Sequence, residues 1–566
     1  MSRFEEGAPD SEICLVGEAP SFQEVRSEKV FVGPSGDLLN LCLQTAQIPR
    51  AKCYIVNVFE DMVRKRKDKP DIYASDGTVL WTPTKGFTEA GRNASANTLM
   101  RLEACEANVI LPMGGPALSL CCDNRRVGKW RGSLIAAGPQ LNGRKLIPTL
   151  HPASCLHGSY ASRFLIISDL RKAKRESAFP EIRPLTRKLI IDPGFDECIR
   201  FLKLCRDARA VNTDIELLGG QVDCFSLAVT PEEAISIPLL DTDFESRWSD
   251  TEELEIWRLY AEIIGDPAIT KVNQNITFDL ATLLWLNKIV PRGPISDPMV
   301  AHSCLYPFLE KKLGVLCSLY TDEPYYKDDG ELQDSPTVAD FQKRWTYNAK
   351  DSTVSLESWE ALEPLIDPGG YRATYEMTMD MVGSLIYMMV HGVALDEASL
   401  WAERVKVNAL IADKVKQLET AMGRAIVTEA PKKAAEKRAF LASGAINVNS
   451  PKQVADYFYV GKGLRVYKNQ AGAPTVDDLA LARIFRRDGL PEAKLLQEYR
   501  GLDKLSSTYL EVQYDIDRRV RCSYNVRGTW TGRLSSRQTV FGTGLQMQNL
   551  SDGFMSFLVS DSRASA

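Results

Sequence analysis

Two acids spaced by one residue, Asp214 and Glu216, end the run Val211-Asn212-Thr213-Asp214-Ile215-Glu216, which reads as the end of an extended strand. Alternation along a strand puts both carboxylates on one face. Held side by side they repel, so the pair needs a cation between them or a proton on one of them. Two later segments carry acids that can meet this pair. Asn275-Ile276-Thr277-Phe278-Asp279 leads into the apolar run Leu280-Ala281-Thr282-Leu283-Leu284-Trp285, and Tyr347-Asn348-Ala349-Lys350-Asp351 opens another helix. A spacing of four places Asn275 with Asp279, and Tyr347 with Asp351, on one helix face each. Three separate segments can thus deliver four carboxylates and a phenol to one point. Two-metal hydrolysis of a phosphodiester requires such a set: acids to hold two magnesium ions, or manganese in their place, and a tyrosine to orient the attacking water.

The order and spacing resemble the three motifs of the DEDDy proofreading exonucleases, with Gln274 standing where that family often has histidine. The resemblance implies a ribonuclease H-like domain with a mixed sheet. It also implies Asp214, Glu216, Asp279 and Asp351 as metal ligands, Tyr347 as the water-orienting residue, and 3' ends of single-stranded DNA as substrate. Lys311-Lys312-Leu313 and Tyr320-Thr321-Asp322-Glu323-Pro324-Tyr325-Tyr326-Lys327 resemble the same family as it occurs in phage polymerases.

A chain of 566 residues has room for three or four domains. Its 44% hydrophobic and 25% charged content is that of an ordinary globular protein. With a net charge of -5, any surface for nucleic acid must be a local patch. The 13 cysteines include no Cys-x-x-Cys, so neither a disulfide framework nor a zinc ribbon is expected. No run of 18 apolar residues occurs and the start is no signal peptide; the expectation is a cytoplasmic protein without a membrane partner.

In the first 178 residues, short apolar runs end in turns: Ile13-Cys14-Leu15-Val16 in Gly17-Glu18-Ala19-Pro20, Tyr54-Ile55-Val56 in Asn57, Val109-Ile110-Leu111-Pro112 in Met113-Gly114-Gly115, and Leu146-Ile147-Pro148-Thr149-Leu150 in His151-Pro152. Strands alternating with helices predict a parallel sheet whose loops gather at one edge. These pieces, with Phe31-Val32-Gly33-Pro34-Ser35-Gly36 and Gly128-Lys129-Trp130-Arg131-Gly132, resemble the uracil-DNA glycosylase superfamily, nearest its iron–sulfur branch. The resemblance implies a base pocket in which Phe31 stacks on an extruded uracil, Asn57 reads its edge, His151 stabilises the departing anion, and Gly17 and Glu18 position water. Ser21 stands where the family often has glycine and Asp61 where the cluster-binding branch has cysteine; the paired N-terminal cysteines of that branch are absent, so no iron–sulfur cluster is expected.

A polar, stiff stretch from Phe179 through Pro184 reads as a linker, giving an expected division into 1–178, a linker 179–188, an exonuclease segment 189–362 and a last segment 363–566. Helical periodicity dominates the last segment, broken at Gly392-Val393-Ala394-Leu395-Asp396. Ser450-Pro451-Lys452-Gln453, Tyr499-Arg500-Gly501-Leu502, Thr529-Trp530-Thr531-Gly532-Arg533-Leu534-Ser535-Ser536 and Met547-Gln548-Asn549-Leu550 resemble the thumb and first palm strands of family A DNA polymerases. That likeness implies a primer–template track formed by Lys452, Arg500, Lys504, Thr531, Arg533, Ser536, Gln548 and Asn549.

The whole is expected to be an α/β multidomain protein: a parallel-sheet glycosylase-like domain, a mixed-sheet exonuclease domain, and a mostly helical thumb with part of a palm. Nucleotidyl transfer needs two palm carboxylates and a fingers lysine, and neither follows before Ala566. Asp561, after Phe557-Leu558-Val559-Ser560, only faintly resembles the first palm motif, lacking the glutamate four residues on. The expected activity is therefore 3'-to-5' exonuclease, with polymerisation needing a palm and fingers from a second chain. Two alternatives are a non-catalytic platform that holds DNA for a separate polymerase, and a uracil-DNA glycosylase acting in repair.

Overall fold

A computed structural model describes residues 5–66, 69–183, 185–330, 332, 336–429, 440, 442–470 and 472–561. Pro184, in the expected linker, and Ser562, after the faint palm motif, lie outside the described residues. The chain forms two compact units: Met1–Ile386 with Asn525–Leu534, and Tyr387–Tyr524 with Ser535–Ala566.

The first unit contains two six-stranded sheets. In the N-terminal sheet the order is Glu5–Glu6, Cys53–Asn57, Ile13–Gly17, Val109–Pro112, Lys145–Leu146, Ile135–Ala136. The four inner strands are parallel and the two edge strands antiparallel, so the expected all-parallel sheet is mixed at its margins. Inner strands of this kind are buried on both faces, hence their continuous apolar runs. Ile13, Leu15, Ile55 and Leu111 face a core that includes Leu39 and Ile166, whereas Cys14, Val16, Val56 and Ile110 face a core that includes Leu102 and Trp81. The fourth expected strand is short, Lys145–Leu146, with Thr149 rejoining the sheet edge only through an isolated bridge to Met113. Between the second strand and the long helix Glu89–Ala104 stands a four-stranded antiparallel sheet over Arg64–Phe87, for which the apolar periodicity provides no signal.

The second sheet runs Lys188–Ile190, Glu233–Pro238, Gln221–Thr230, Ala210–Leu218, Thr270–Val272, Ile295–Ser296. Its three central strands are antiparallel, and both flanks pair in parallel, so the sheet is mixed as expected. Asp214 lies opposite Ser226 and Glu216 opposite Cys224. Directly paired residues share a face. On the opposite face Ile215 and Phe225 are buried, Phe225 stacking on Tyr260 of the helix Asp250–Gly265 with ring centroids 4.1 Å apart.

The acidic face is covered by a 29-residue helix, Val338–Ile366. Ser226 Oγ donates to the Asn348 carbonyl at 2.8 Å, and Ser236 Oγ donates to Asn348 Oδ1 at 2.8 Å, fastening the helix to two neighbouring strands. A capping box starts it, Thr337 and Asp340 each bonding the other's backbone amide.

The second unit is mostly helical. Helices Glu397–Met422, Asp478–Asp488 and Pro491–Leu505 close over Leu418, Phe458, Leu481, Leu496 and Tyr499. A three-stranded antiparallel sheet, Arg519–Val520, Val393–Leu395, Leu558–Val559, forms at the break read in the sequence. No helix among the described residues is long and apolar enough to cross a membrane.

Candidate active site

Asp214 and Glu216 do not sit at the end of a strand but within Ala210–Leu218, and a bulge follows Glu216. Period-two alternation aims both at the covering helix, which brings Asp351 down to them. One oxygen from each of Asp214, Glu216 and Asp351 lies within 4.8 Å of the others. Asp279 stands beside this group, buried, with Oδ1 accepting from the Ile215 amide at 3.1 Å, between the two strand acids in sequence.

Two expectations about the flanking segments are corrected. Asn275 does not share a helix face with Asp279, because it is a left-handed N-cap (φ 63°) ahead of the helix Ile276–Thr282; Asp297 Oδ1 accepts from its amide at 3.2 Å. Tyr347 does not open a helix, since nine helical residues precede it; the capping signal was Thr337-Val338-Ala339-Asp340. The four-residue spacing of Tyr347 and Asp351 nevertheless keeps both on one side of the helix.

The supports of the acids were not read from the sequence. Asp214 accepts from Asn273 Nδ2 at 3.1 Å and from Asn348 Nδ2 at 2.9 Å, one amide on each oxygen. Arg344, one turn before Asn348, reaches Glu216 at 3.5 Å while its fork grips buried Asp223 at 2.7 and 2.9 Å. Asn348 lies inside the quoted motif and could have been found there; Arg344 pairs across 121 residues and leaves no local trace.

Lost hydration, then the neighbouring Asp351, pushes Asp214 up to about 7; lost hydration, then Asp214, pushes Glu216 up to about 8. Asp279 is raised well above the usual carboxylate range by burial and by Asp214. Acids crowded in this way keep their charge at neutral pH only with positive charge among them, and an all-oxygen donor set suits a hard divalent cation. Burial, followed by Asp351, also raises the Tyr347 phenol, which therefore stays protonated at neutral pH.

The N-terminal pocket residues also converge. A Cβ on Gly17 would stand 2.2 Å from Asn57 Oδ1 and 2.6 Å from the Phe31 ring, so only glycine admits this contact. Phe31 is buried with φ 49°, its amide held by Glu24 Oε1 at 2.5 Å, and its ring centroid lies 5.6 Å from that of His151. Asn57 is buried, and its Nδ2 has no hydrogen-bond partner among the described residues. His151 caps its helix by accepting at Nδ1 from the Ala153 amide at 3.2 Å, and burial holds it below the usual imidazole range. Neutral with Nδ1 as acceptor, it carries its proton on Nε2. Glu18 is paired with Lys65 at 2.7 Å.

The residues read as a primer–template track divide between the units. Thr531 and Arg533 are exposed in the first; Lys452, Lys504, Gln548 and Asn549 are exposed in the second. Arg500 is half-buried and donates to the Val476 carbonyl at 2.6 Å. Ser536 is buried, and its Oγ accepts from the Gln548 amide at 3.2 Å. Asp561 bonds Arg519 at 2.7 Å and His391 at 3.0 Å.

A mixed sheet whose acidic face lies under a helix bearing a third acid is the frame of an exonuclease-type α/β domain. Residues 230–367 match the 3'-5' exonuclease family, a span that holds Asp279, Tyr347 and Asp351. Residues 4–173 match the uracil DNA glycosylase superfamily and residues 416–543 match DNA polymerase family A. The chain thus carries a uracil-DNA glycosylase-like N-terminal domain, a 3'-5' exonuclease domain and a family A DNA polymerase domain. It is 32% identical over 173 residues to the type-4 uracil-DNA glycosylase of Thermotoga maritima, covering 30% of this chain and 79% of the relative. To the DNA polymerase of Bacillus phage SP01 it is 22% identical over 615 aligned positions, 94% of this chain and 62% of the relative. To DNA polymerase I of Rhizobium leguminosarum it is 24% identical, over 89% of this chain and 52% of the relative. The chain thus spans between half and two thirds of the length of these polymerase relatives.

Proposed function

We propose that this chain removes nucleotides from the 3' end of single-stranded DNA in a magnesium-dependent proofreading reaction. What carries the reading is the convergence of Asp214, Glu216 and Asp351 within 4.8 Å, with Asp279 against the same strand. These four acids would hold two divalent ions, which when bound supply an activated water and stabilise the leaving oxygen. The chain's own groups do the rest. Asn273 and Asn348 hold Asp214 with one amide on each oxygen, which fixes the carboxylate plane. Arg344 offsets part of the charge on Glu216 without reaching the other acids. The protonated Tyr347 phenol, on the same helix side as Asp351, orients the water by hydrogen bonding and takes no part as a base.

Incubating the chain with 5'-labelled single-stranded DNA and magnesium should produce a ladder of shortened products. The Asp214→Ala, Glu216→Ala double variant should produce none; degradation that survives both changes would defeat the assignment. Strand retention without shortening by the parent chain would favour the DNA-holding platform instead. The exposed Lys452, Lys504, Gln548 and Asn549 of the second unit support a further role in holding primer–template DNA.

A second reading, uracil recognition by the N-terminal domain, is favoured by the unpartnered, buried Asn57 Nδ2, on an amide whose Oδ1 lies against Gly17. Such a donor is costly unless a ligand accepts from it. Alkali-labile breaks in uracil-containing DNA would show excision. Binding without breaks would mark a reader, and the absence of both breaks and binding would remove this reading.

A further inference from the structure

Between the helix Leu313–Tyr320 and the long helix Val338–Ile366, residues Thr321–Asp328 run as an irregular strap along the seam of the two α/β domains of the first unit. Its side chains divide by direction. Asp322 pairs with Arg175 at 2.6 Å and Asp328 with Lys129 at 2.6 Å, both cations of the glycosylase-like domain. The Tyr325 amide donates to Ser133 Oγ at 3.1 Å, and its ring packs on Trp130 at 5.8 Å. The intervening residues point the other way. Glu323 pairs with Arg187 at 3.1 Å and with Lys350 at 2.9 Å, Tyr326 Oη donates to Asp351 Oδ1 at 2.7 Å, and Lys327 Nζ lies 2.5 Å from Asp351 Oδ2. The Lys327 ammonium also stands 4.1 Å from the centre of the Tyr347 ring.

The outer anchorage is built, not incidental. Lys172, a buried lysine of the glycosylase-like domain, donates to the carbonyls of Gly132 at 2.7 Å, Ser318 at 3.1 Å and Thr321 at 2.8 Å, two of the three belonging to the exonuclease side. A lysine so enclosed is tolerated only while all its partners stay in place. The strap therefore cannot drift without exposing the acids to a large loss of order: its outer edge is tied to one domain, and its inner edge supplies both oxygens of Asp351 with donors.

We propose that Lys327 is a positioning residue of the nuclease site, and that the glycosylase-like domain, through the strap Thr321–Asp328, sets where its ammonium stands. The inference rests on the nuclease reading above. The ammonium shares Asp351 with the cation site and packs against the phenol that orients water. It thus holds the acid and the tyrosine in register and lowers the pull of the acids on divalent ions. On this view the N-terminal domain completes the nuclease site whether or not it excises a base.

The full chain, degrading labelled single-stranded DNA across a magnesium titration, with magnesium binding followed separately by calorimetric titration, tests this with four variants beside the parent. Lys327→Met should lower kcat about tenfold or more through misplacement of Asp351 and Tyr347. It should also lower the half-saturating magnesium concentration, since one positive charge fewer stands beside the acids. Lys327→Arg should return the magnesium dependence toward the parental value. The surface pair Lys129→Ala, Arg175→Ala, far from the acids, should shift kcat and the magnesium midpoint in the same directions as Lys327→Met, and by less. An unchanged kcat and magnesium midpoint in Lys327→Met, or a surface pair that behaves as the parent, overturns the proposal. Asp214→Ala separates the two readings: if it still degrades DNA the nuclease assignment fails, whereas an inactive Asp214→Ala beside a parent-like Lys327→Met sinks only the role of Lys327 and its strap.

Discussion

Arg344 illustrates how much of the site rests on one side chain. Its guanidinium is buried, grips Asp223 with two hydrogen bonds, and reaches Glu216. Arg344→Met would leave Asp223 charged and unpaired in the interior, a loss of about 3–5 kcal/mol in urea unfolding. The same variant should slow DNA degradation, because Glu216 loses its counter-charge. A second residue-scale effect is a pH dependence at His302, which is fully buried with Nδ1 2.7 Å from Tyr320 Oη. Burial pushes its pKa down to about 4 from an ordinary value of about 6.5. Below pH of about 6.5 the unfolded chain takes up a proton that the folded chain refuses, so this contribution to stability is whole above that pH and is lost as pH falls toward about 4, by up to about 3 kcal/mol. Replacing His302 with Gln should flatten that segment of the stability–pH curve, as followed by denaturant unfolding at each pH.

At the scale of elements, the seam between the central strands and the helix Val338–Ile366 governs the position of Asp351. Ser236 Oγ holds Asn348 Oδ1, and the other end of the same amide holds Asp214. Ser236→Val removes the donor and leaves a buried carbonyl oxygen unsatisfied, a cost of about 1–3 kcal/mol. It should also reduce nuclease rate more than it reduces DNA binding, measured as kcat against KM. This is also the scale at which reading the sequence succeeds and fails. The alternation Thr213-Asp214-Ile215-Glu216 was legible because a strand has period two whatever surrounds it. Asn275 was not, because a left-handed cap looks like the first residue of a helix until its backbone is seen. The start of the long helix is marked by Thr337 and Asp340, a local capping signal ten residues before Tyr347. The four-stranded sheet over Arg64–Phe87 carries no clean alternation that would have announced it.

For the whole molecule, two compact units predict that unfolding is not a single transition. Calorimetry should resolve at least two. Magnesium should raise the transition of the unit that contains Asp214, Glu216 and Asp351 and leave the other where it was. The shift should correspond to about 2.7 kcal/mol when magnesium is a hundredfold above its dissociation constant. The sequence by itself determined the inner strands Ile13–Gly17, Cys53–Asn57 and Val109–Pro112 and the placing of Asp214 and Glu216 on one strand face, since both follow from local periodicity that is read without a fold. Only the tertiary structure decided that Arg344 serves Glu216, that Asn273 and Asn348 share Asp214, and that a strap tied to the N-terminal domain brings Lys327 to Asp351. Those contacts join residues tens to hundreds of positions apart, and such pairings are set by which surfaces pack together, a property no window along the chain contains.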